Sequence, residues 1–168
     1  MAYTVRHTID TDVDTAWNLF FDDGLAREML KSLGDVAGFN VVEDRLDEDG
    51  IKHRRVECWS NVELPSIAKK LIGDGSYTEI GAFDTRLKRY KAQCVPKQNA
   101  DKFGTTFEVT LHPIDGGKRC ERQIVVENKV TIFGIGGMVT TMLERVQRDS
   151  HEHSAKFLNE WLKSNSPT

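Results

Sequence analysis

The sequence predicts an α+β fold in which one antiparallel sheet packs against a long C-terminal helix. Two helical patterns follow a single strand near the N-terminus. A run of strand-like segments separated by turn-prone stretches fills the middle of the chain, and a long helical pattern follows the "GIGG" at 134–137. Because a sheet and a helix each bury one apolar face, these elements favour two packed layers around one core.

The first strand and the two helices after it have recognisable boundaries. Residues 3–9, "YTVRHTI", alternate as a half-buried strand does. Cap-forming Thr and Asp in "DTD" precede one amphipathic segment, and a second, "LAREMLKSLG", stops at Gly34. Their apolar positions at helical spacing are Val13, Ala16, Trp17 and Phe20 in the first, and Leu25, Met29, Leu30 and Leu33 in the second. These segments predict a helix–helix corner.

From Phe39 onward the pattern is that of six strands with one interruption. Asp49–Gly50 lies between two extended arms and predicts a hairpin turn. The segment "ELPSIAKKLIGDG" has Pro65 near a first turn, apolar residues at helical spacing and glycines at its end, so it predicts a short helical insert at 64–72. Four more strand-like segments follow, separated by stretches such as "PKQNAD" and "DGGK".

Composition favours one soluble domain without a bound metal, cofactor or nucleic acid. A chain of 168 residues with 39% hydrophobic residues has the size of a single domain, which we expect to span 1–164 with a frayed tail at 165–168. The net charge of −3 gives no global attraction to phosphate backbones. Three widely spaced cysteines without a CxxC pair, and no apolar run long enough to span a bilayer, predict a cytoplasmic protein with reduced thiols.

The order of elements resembles the START-like, or SRPBCC, superfamily, the helix-grip fold of the birch-pollen allergen and polyketide cyclases. The opening "VDTAWNLFFD" and the final "FLNEWL" are similar to superfamily patterns. More narrowly, "YTEIGAFD" after the insert and "GIGG" before the last helix resemble a bacterial branch known only as a domain of unknown function. The resemblance implies a curved sheet wrapped around the C-terminal helix, with a cavity for an apolar ligand between them. It implies no catalytic residues.

Polar residues interrupt the apolar stripe of the last helix. At 100° per residue, Ser150 and Ser154 fall inside the stripe and His153 falls at its edge. The apolar members of the stripe are Val139, Leu143, Val146, Phe157 and Trp161. An unpaired polar group in a packed core costs about 1–3 kcal/mol, so one interpretation is that these groups face a cavity and a ligand. The other is that strand carbonyls or water satisfy them, or that the helix overhangs the sheet.

Strand alternation adds further candidates for the lining of this cavity. Asn128 breaks an apolar row and either orients a ligand or marks a strand edge or bulge. Tyr90, which shares a face with Ala92 and Cys94, either contacts a ligand or packs in the core. The full set predicted to bind a ligand is Tyr90, Phe107, Val109, Asn128, Met142, Val146, Ser150, His153, Ser154 and Phe157.

Other chemistry has weaker support in the sequence. The histidines of "HEH" at 151–153 are two residues apart and point about 200° apart on a helix, so they do not share a metal ion. "FGIGGMVTT" lacks the GK[ST] ending of a phosphate loop. No nucleophile is placed beside a base. The strand carboxylates leave a paired-carboxylate site open, although solvated outer faces of the sheet account for most of them. Those carboxylates are Glu57, Glu79, Glu108, Glu121 and Glu127.

The function that these observations favour is the binding or transport of a hydrophobic small molecule, such as a lipid, a fatty acid or a polyketide-like compound. An enzyme is less favoured; if there is one, it is of the cyclase or isomerase kind, with His153 or a strand carboxylate as acid or base. A co-chaperone-like interaction module is a third hypothesis. We expect no obligate protein partner, and the insert at Leu64–Ile72 is either a lid that touches membranes transiently or a segment packed on the sheet.

Overall fold

The computed structural model describes residues 2–33, 36–60, 66, 69–70 and 73–165. Strand β1 (Ala2–Ile9) is followed by helices α1 (Val13–Phe20) and α2 (Asp23–Leu33). The later elements are β2 (Val36–Leu46), β3 (Ile51–Ser60), β4 (Tyr77–Asp84), β5 (Arg89–Pro96), β6 (Phe103–Ile114), β7 (Arg119–Val130) and α3 (Gly136–Asn165). The predicted order of one strand, two helices, six strands and a terminal helix is confirmed.

The seven strands form one antiparallel sheet in the order β1-β7-β6-β5-β4-β3-β2. Helix α3 lies over β1 and β7, and α2 packs on β2 and against α3. We call the sheet face toward the helices the concave face and the opposite one the convex face. The curved sheet and its long helix confirm the predicted helix-grip architecture.

Local signals in the sequence explain where these elements begin and turn. The side chain of Asp12 accepts a 3.0 Å hydrogen bond from the Thr15 amide and caps α1. In the hairpin between β2 and β3, Asp47 Oδ1 accepts a 2.8 Å bond from the Ile51 amide, while Gly50 has a φ of 80°. A positive φ favours glycine, which explains the predicted Asp49–Gly50 signal.

The core has its largest cluster where α1 meets the middle strands. Trp17 of α1 packs there with Tyr90, Val109, Ile124 and Val126, all of them buried. A second cluster lies under α3 and joins Ile9, Ala16, Cys120 and Ala155. Full burial of a large apolar side chain contributes about 1.5–3 kcal/mol, so these clusters fix the sheet against α1 and α3.

Two predictions fall partly or wholly outside the described residues. The helical insert at 64–72 is one; of its residues the structure describes Ser66, Lys69 and Lys70, which are helical and exposed. Its contact with membranes remains a prediction. The frayed tail is the other, since the described chain ends with Asn165 in α3. No helix in the described part of the chain has the length and apolarity needed to cross a bilayer.

Candidate functional site

A polar row crosses the concave face of the sheet. Strand register places Val56, Glu79, Cys94, Thr105 and Asn128 side by side on β3, β4, β5, β6 and β7. Side chains at directly opposed positions of neighbouring strands lie close enough to interact. The row therefore brings a carboxyl, a thiol, a hydroxyl and an amide onto one line inside the fold.

The middle of this row is less covered than its ends. Val56 and Asn128 are buried, whereas Glu79, Cys94 and Thr105 between them keep part of their surface accessible. Protein interiors are close-packed, so we infer from these half-buried residues a space between the sheet and the helices. We call this space the groove. The half-buried concave residues that border it are Tyr77, Glu79, Cys94, Thr105 and Phe107.

Aromatic rings close one end of the groove. Trp17 of α1 packs against Phe83 of β4 with ring centroids 4.6 Å apart. Phe20 packs edge-on against Tyr90 at 5.3 Å, and Tyr90 in turn lies 6.0 Å from Phe107. Because α1 supplies these rings and the strands receive them, the predicted first helix determines how far the groove extends.

A carboxyl group with increased proton affinity lies beside these rings. The Tyr90 hydroxyl donates a 2.6 Å hydrogen bond to Oε1 of Glu79. Burial raises the pKa of Glu79 above its ordinary value, against the opposing effects of the Tyr90 hydrogen bond and the Arg54 charge. Burial also raises the pKa of Tyr90, and the Glu79 charge adds to that shift. Tyr90 is therefore a permanent donor, and Glu79 holds its proton to a higher pH than an exposed carboxyl group does.

Arg54, whose positive charge acts on Glu79, is already paired with two carboxylates. Its Nη1 donates a 2.8 Å hydrogen bond to Asp44 Oδ2 on β2, and its Nη2 donates to Asp23 in the first turn of α2. Lys52, two residues earlier on β3, lies 3.1 Å from Asp44 Oδ1. These ion pairs tie α2 and β2 to β3. The charge of Arg54 still lowers the pKa of Glu79, but burial outweighs it.

At the other end of the polar row, Gln147 of α3 joins helix and sheet. Its Oε1 accepts hydrogen bonds of 2.8 Å from the Tyr3 hydroxyl and 2.8 Å from Asn128 Nδ2. Its Nε2 donates to Asn128 Oδ1 at 3.1 Å and to Thr105 Oγ1 at 3.2 Å. The Thr105 hydroxyl also donates to Asn128 Oδ1 at 2.7 Å. The donors of this network are used within the protein.

A second polar cluster lies under α3, centred on Arg122 of β7, which is only 6% exposed. Its Nη2 donates to the His151 carbonyl at 2.8 Å and to Ser154 Oγ at 2.9 Å, while its buried Nε has no partner among the described residues. Burial lowers the pKa of Arg122 to about 10. Burial, together with the charges of Arg122 and His7, lowers the pKa of His151 to about 4. Arg122 thus explains the polar break at Ser154 in the helix stripe.

The residues predicted to bind a ligand occupy different surroundings. Phe107 borders the groove, and Tyr90 and Asn128 bond to groups along the polar row. Val109 is enclosed in the core, Val146 is 42% exposed, and His153 Nε2 lies 2.9 Å from Ser32 Oγ of α2. The remaining members are buried Ser154 and half-buried Met142, Ser150 and Phe157 on α3. Ligand contact by any of the ten remains a prediction.

Sequence reasoning did not single out Glu79, Cys94, Thr105 or Gln147 as site residues. A signal existed for two of them. Glu79 alternates with Tyr77 and Phe83 in "YTEIGAFD", which places its carboxyl on an apolar face. Gln147 shares a helix face with Leu143, Ser150 and Ser154 at 100° per residue.

The convex face carries two depressions of about 470 Å³ and 500 Å³. Exposed Gln93 and Thr106 line both of them. A depression on an open strand face excludes little water, so we assign the candidate site to the groove. No group of three or more His, Cys, Asp or Glu side chains in the described ranges is arranged to hold a metal ion.

Comparison with known proteins places the chain among START-like folds. A family described as "Protein of unknown function (DUF2505)" matches residues 4–162. TTHA0849 from Thermus thermophilus has a TM-score of 0.66 at 16% identity, over 99% of this chain and 100% of that one. A START superfamily protein from Mycobacterium smegmatis has a TM-score of 0.62 at 14% identity, over 97% of each chain.

A third solved structure with this fold is an enzyme. Norcoclaurine synthase from Thalictrum flavum, in complex with dopamine and hydroxybenzaldehyde, has a TM-score of 0.65 at 12% identity, over 100% of this chain and 90% of that one. No curated protein matches the chain. The START-like, helix-grip fold that the sequence resembles is thereby confirmed.

Proposed function

The chain belongs to DUF2505, a family of proteins of unknown function, and on that premise we propose that it binds an apolar small molecule in the groove. The ligand is a lipid-like or polyketide-like compound whose apolar body lies along Phe107 and the neighbouring concave residues. Ligand sites of this kind are concave, mostly apolar and furnished with a few polar groups that fix orientation.

The observation that carries the proposal is the accessibility of Glu79, Cys94 and Thr105 in the middle of an inward face. If this face of the sheet only packed against a solid core, the residues in its middle would be the most deeply buried ones. Burial and the Glu79 charge raise the pKa of Cys94, so its thiol is neutral and adds apolar surface.

The solved structures with this fold support the proposal in a general way. One of them holds dopamine and hydroxybenzaldehyde, and another, Zhui from Streptomyces sp. R1128, is an aromatase/cyclase. The first of these proteins holds aromatic molecules within this architecture. The aromatic end of the groove, with Phe20, Tyr90 and Phe107, is compatible with ligands of that shape.

A cyclase or isomerase activity is the second candidate, and the Glu79–Tyr90 pair favours it. A carboxyl group whose pKa is raised by burial is a candidate general acid or base, and Tyr90 fixes one of its oxygens. A ring compound recovered from the protein in two chemical forms would favour this activity. A single unreactive compound would favour binding or transport.

Native mass spectrometry of the protein purified from its own host tests the first proposal. We expect an adduct of a few hundred daltons, which organic extraction then releases for identification. Cys94→Phe fills the groove and should lose the adduct, whereas Gln93→Phe adds the same ring on the exposed convex face and should keep it. A bare mass for the wild-type protein, unchanged after incubation with cell lipid extract, would contradict ligand binding.

A further inference from the structure

We propose that the groove selects ligands whose polar end is a hydrogen-bond donor, a hydroxyl or an ammonium group, placed against Oε2 of Glu79. A carboxylate on the same apolar body is rejected. This inference rests on the proposed function and narrows its ligand class, because it removes fatty acids from the set that the sequence left open.

The first step of the argument is that Glu79 has one occupied and one available oxygen. Oε1 accepts the 2.6 Å hydrogen bond from Tyr90, and Oε2 has no hydrogen-bond partner among the described residues. The enclosed polar side-chain atoms without a partner in that part of the chain are Trp17 Nε1 and Arg122 Nε, and Oε2 is not among them. Oε2 is therefore the carboxyl oxygen that is left to accept a bond from a ligand.

The second step is that the cations on the concave face are engaged elsewhere. Arg54 is paired with Asp44 and Asp23, and Lys52 with Asp44. Arg122 is enclosed under α3, where its Nη2 bonds to His151 O and Ser154 Oγ. On α3, Arg148 donates to Glu144 and lies over the ring of Tyr3, 4.2 Å from its centroid. None of these described cations is free to bind a ligand carboxylate.

The third step concerns the neutral donors, which are also engaged. The Thr105 hydroxyl donates to Asn128 Oδ1, and Asn128 Nδ2 donates to Gln147 Oε1. Gln147 Nε2 donates back to Asn128 and Thr105, and the Tyr90 hydroxyl donates to Glu79. Apart from the enclosed indole nitrogen of Trp17, which has no partner, these groups leave the described groove with an unused acceptor and no unused strong donor. A donor-bearing ligand complements this arrangement and a carboxylate does not.

Charge adds to this selectivity. Two carboxylates brought together in one apolar site repel each other, or one of them has to bind a proton. An ammonium group gains the attraction of Glu79, and a hydroxyl gains a charge-assisted hydrogen bond. The groups whose charge or hydrogen bond acts on Glu79 are Arg54 from β3 and Tyr90 from β5. The Glu79 charge in turn acts on Cys58, Tyr77 and Cys94.

Three probes with one apolar body and different polar ends test the selectivity: 2-naphthylmethylamine, 2-naphthylmethanol and 2-naphthoate. Their dissociation constants for the full chain are measured by isothermal titration calorimetry at neutral pH. We expect the amine and the alcohol to bind at least about tenfold more tightly than the acid. Glu79→Gln should remove the advantage of the amine over the alcohol, and Glu127→Gln, on the exposed convex face, should leave all three unchanged.

The outcomes separate this inference from the proposal beneath it. Equal binding of the three probes, or tightest binding of the acid, overturns the donor selectivity while an apolar ligand site still stands. Binding of none of them up to about 1 mM overturns the ligand site and the selectivity together. If Glu79→Gln does not fold, Glu79→Asp withdraws the carboxyl by one methylene and should weaken the amine more than the alcohol; an unchanged ratio contradicts the role of Glu79.

Discussion

A Cβ atom on Gly81 would clash with the phenol oxygen of Tyr90, because the tyrosine ring crosses directly over the glycine. Tyr90 is paired with Phe83 on β4, and Glu79 lies beyond Gly81 on the same strand face. The ring can reach Glu79 only because residue 81 has no side chain. A glycine in the middle of a strand, which by itself weakens the sheet, here permits the hydrogen bond that holds the candidate site.

We expect Gly81→Ala to lower the free energy of unfolding by about 1–3 kcal/mol, because the added methyl must displace a ring in a packed core. Gly104→Ala on β6 is the matched control, since a Cβ there meets no atom within 4 Å. Urea unfolding followed by circular dichroism measures both. Unaltered stability of Gly81→Ala, or equal losses in the two variants, would contradict the close approach of Tyr90.

The second prediction concerns the stability of Glu79→Gln as a function of pH. The pKa of Glu79 is raised above about 4.5 in the folded protein, so the folded state holds this proton more tightly than the unfolded chain. The contribution of Glu79 to stability is then fully present below pH 4.5 and declines as the pH rises through the pKa of the folded state. We expect Glu79→Gln to have a higher Tm than the wild type at pH 8 and an equal Tm at pH 4.

Exposed Glu127, on the convex face of β7, supplies the control for this comparison. Glu127→Gln should follow the wild type across the same pH range when thermal unfolding is monitored by calorimetry. A Tm of Glu79→Gln below that of the wild type at pH 8, with equal values at pH 4, would be the opposite result. It would show that the carboxylate is favoured in the folded state.

The third prediction concerns the loss of stability at acidic pH that His151 causes. The pKa of His151 is lowered from 6.5 to about 4 in the folded protein, chiefly by burial. The unfolded chain therefore binds a proton that the folded state refuses, and stability falls as the pH drops from 6.5 toward 4. His151→Gln should make the decline of Tm over this range shallower. The exposed His112 offers the control His112→Gln, and parallel decline in all three proteins would exclude His151 as a contributor.

The fourth prediction addresses the link between α3 and the sheet. Gln147→Leu leaves the Tyr3 hydroxyl and Asn128 Nδ2 without the acceptor that both use. An unsatisfied buried polar group costs about 1–3 kcal/mol, so we expect a stability loss of that size. Arg145→Leu, at an exposed position of the same helix, should change stability by less than about 0.5 kcal/mol. Chemical denaturation of the pair distinguishes the two cases.

Patterns local in sequence predicted the fold well. The cap at Asp12 and the Asp49–Gly50 turn are decided by neighbouring residues, and the structure places both where the sequence indicated. Strand alternation also sorted faces correctly for Phe107 and Val109 on β6 and Val126 on β7, which all point inward. Such features depend on a few adjacent residues, so one sequence contains them.

The candidate site was harder to predict because its contacts join distant segments. Ser154 is hydrogen-bonded to Arg122, and His153 lies against Ser32. Neither partner can be predicted from the sequence of the helix that carries the polar residues. The sequence groups Glu79 with strand carboxylates that mostly belong on the solvated outer face of a sheet. Its register against Val56 and Cys94 places it on the concave face instead. Inter-strand register, which decides these neighbours, follows from the whole sheet and not from one strand.

The place of β1 in the sheet has a consequence for how the chain reaches this structure. It is an edge strand whose partner is β7, with Ala2 opposite Glu127 and Ile9 opposite Cys120. During synthesis the first strand emerges long before its partner, and the loop that joins them closes only after β2 to β6 exist. Pairing of β1 with β7 is therefore a late step in the assembly of the sheet, and a nascent chain that stops before β7 presents β1 as an unpaired strand to chaperones.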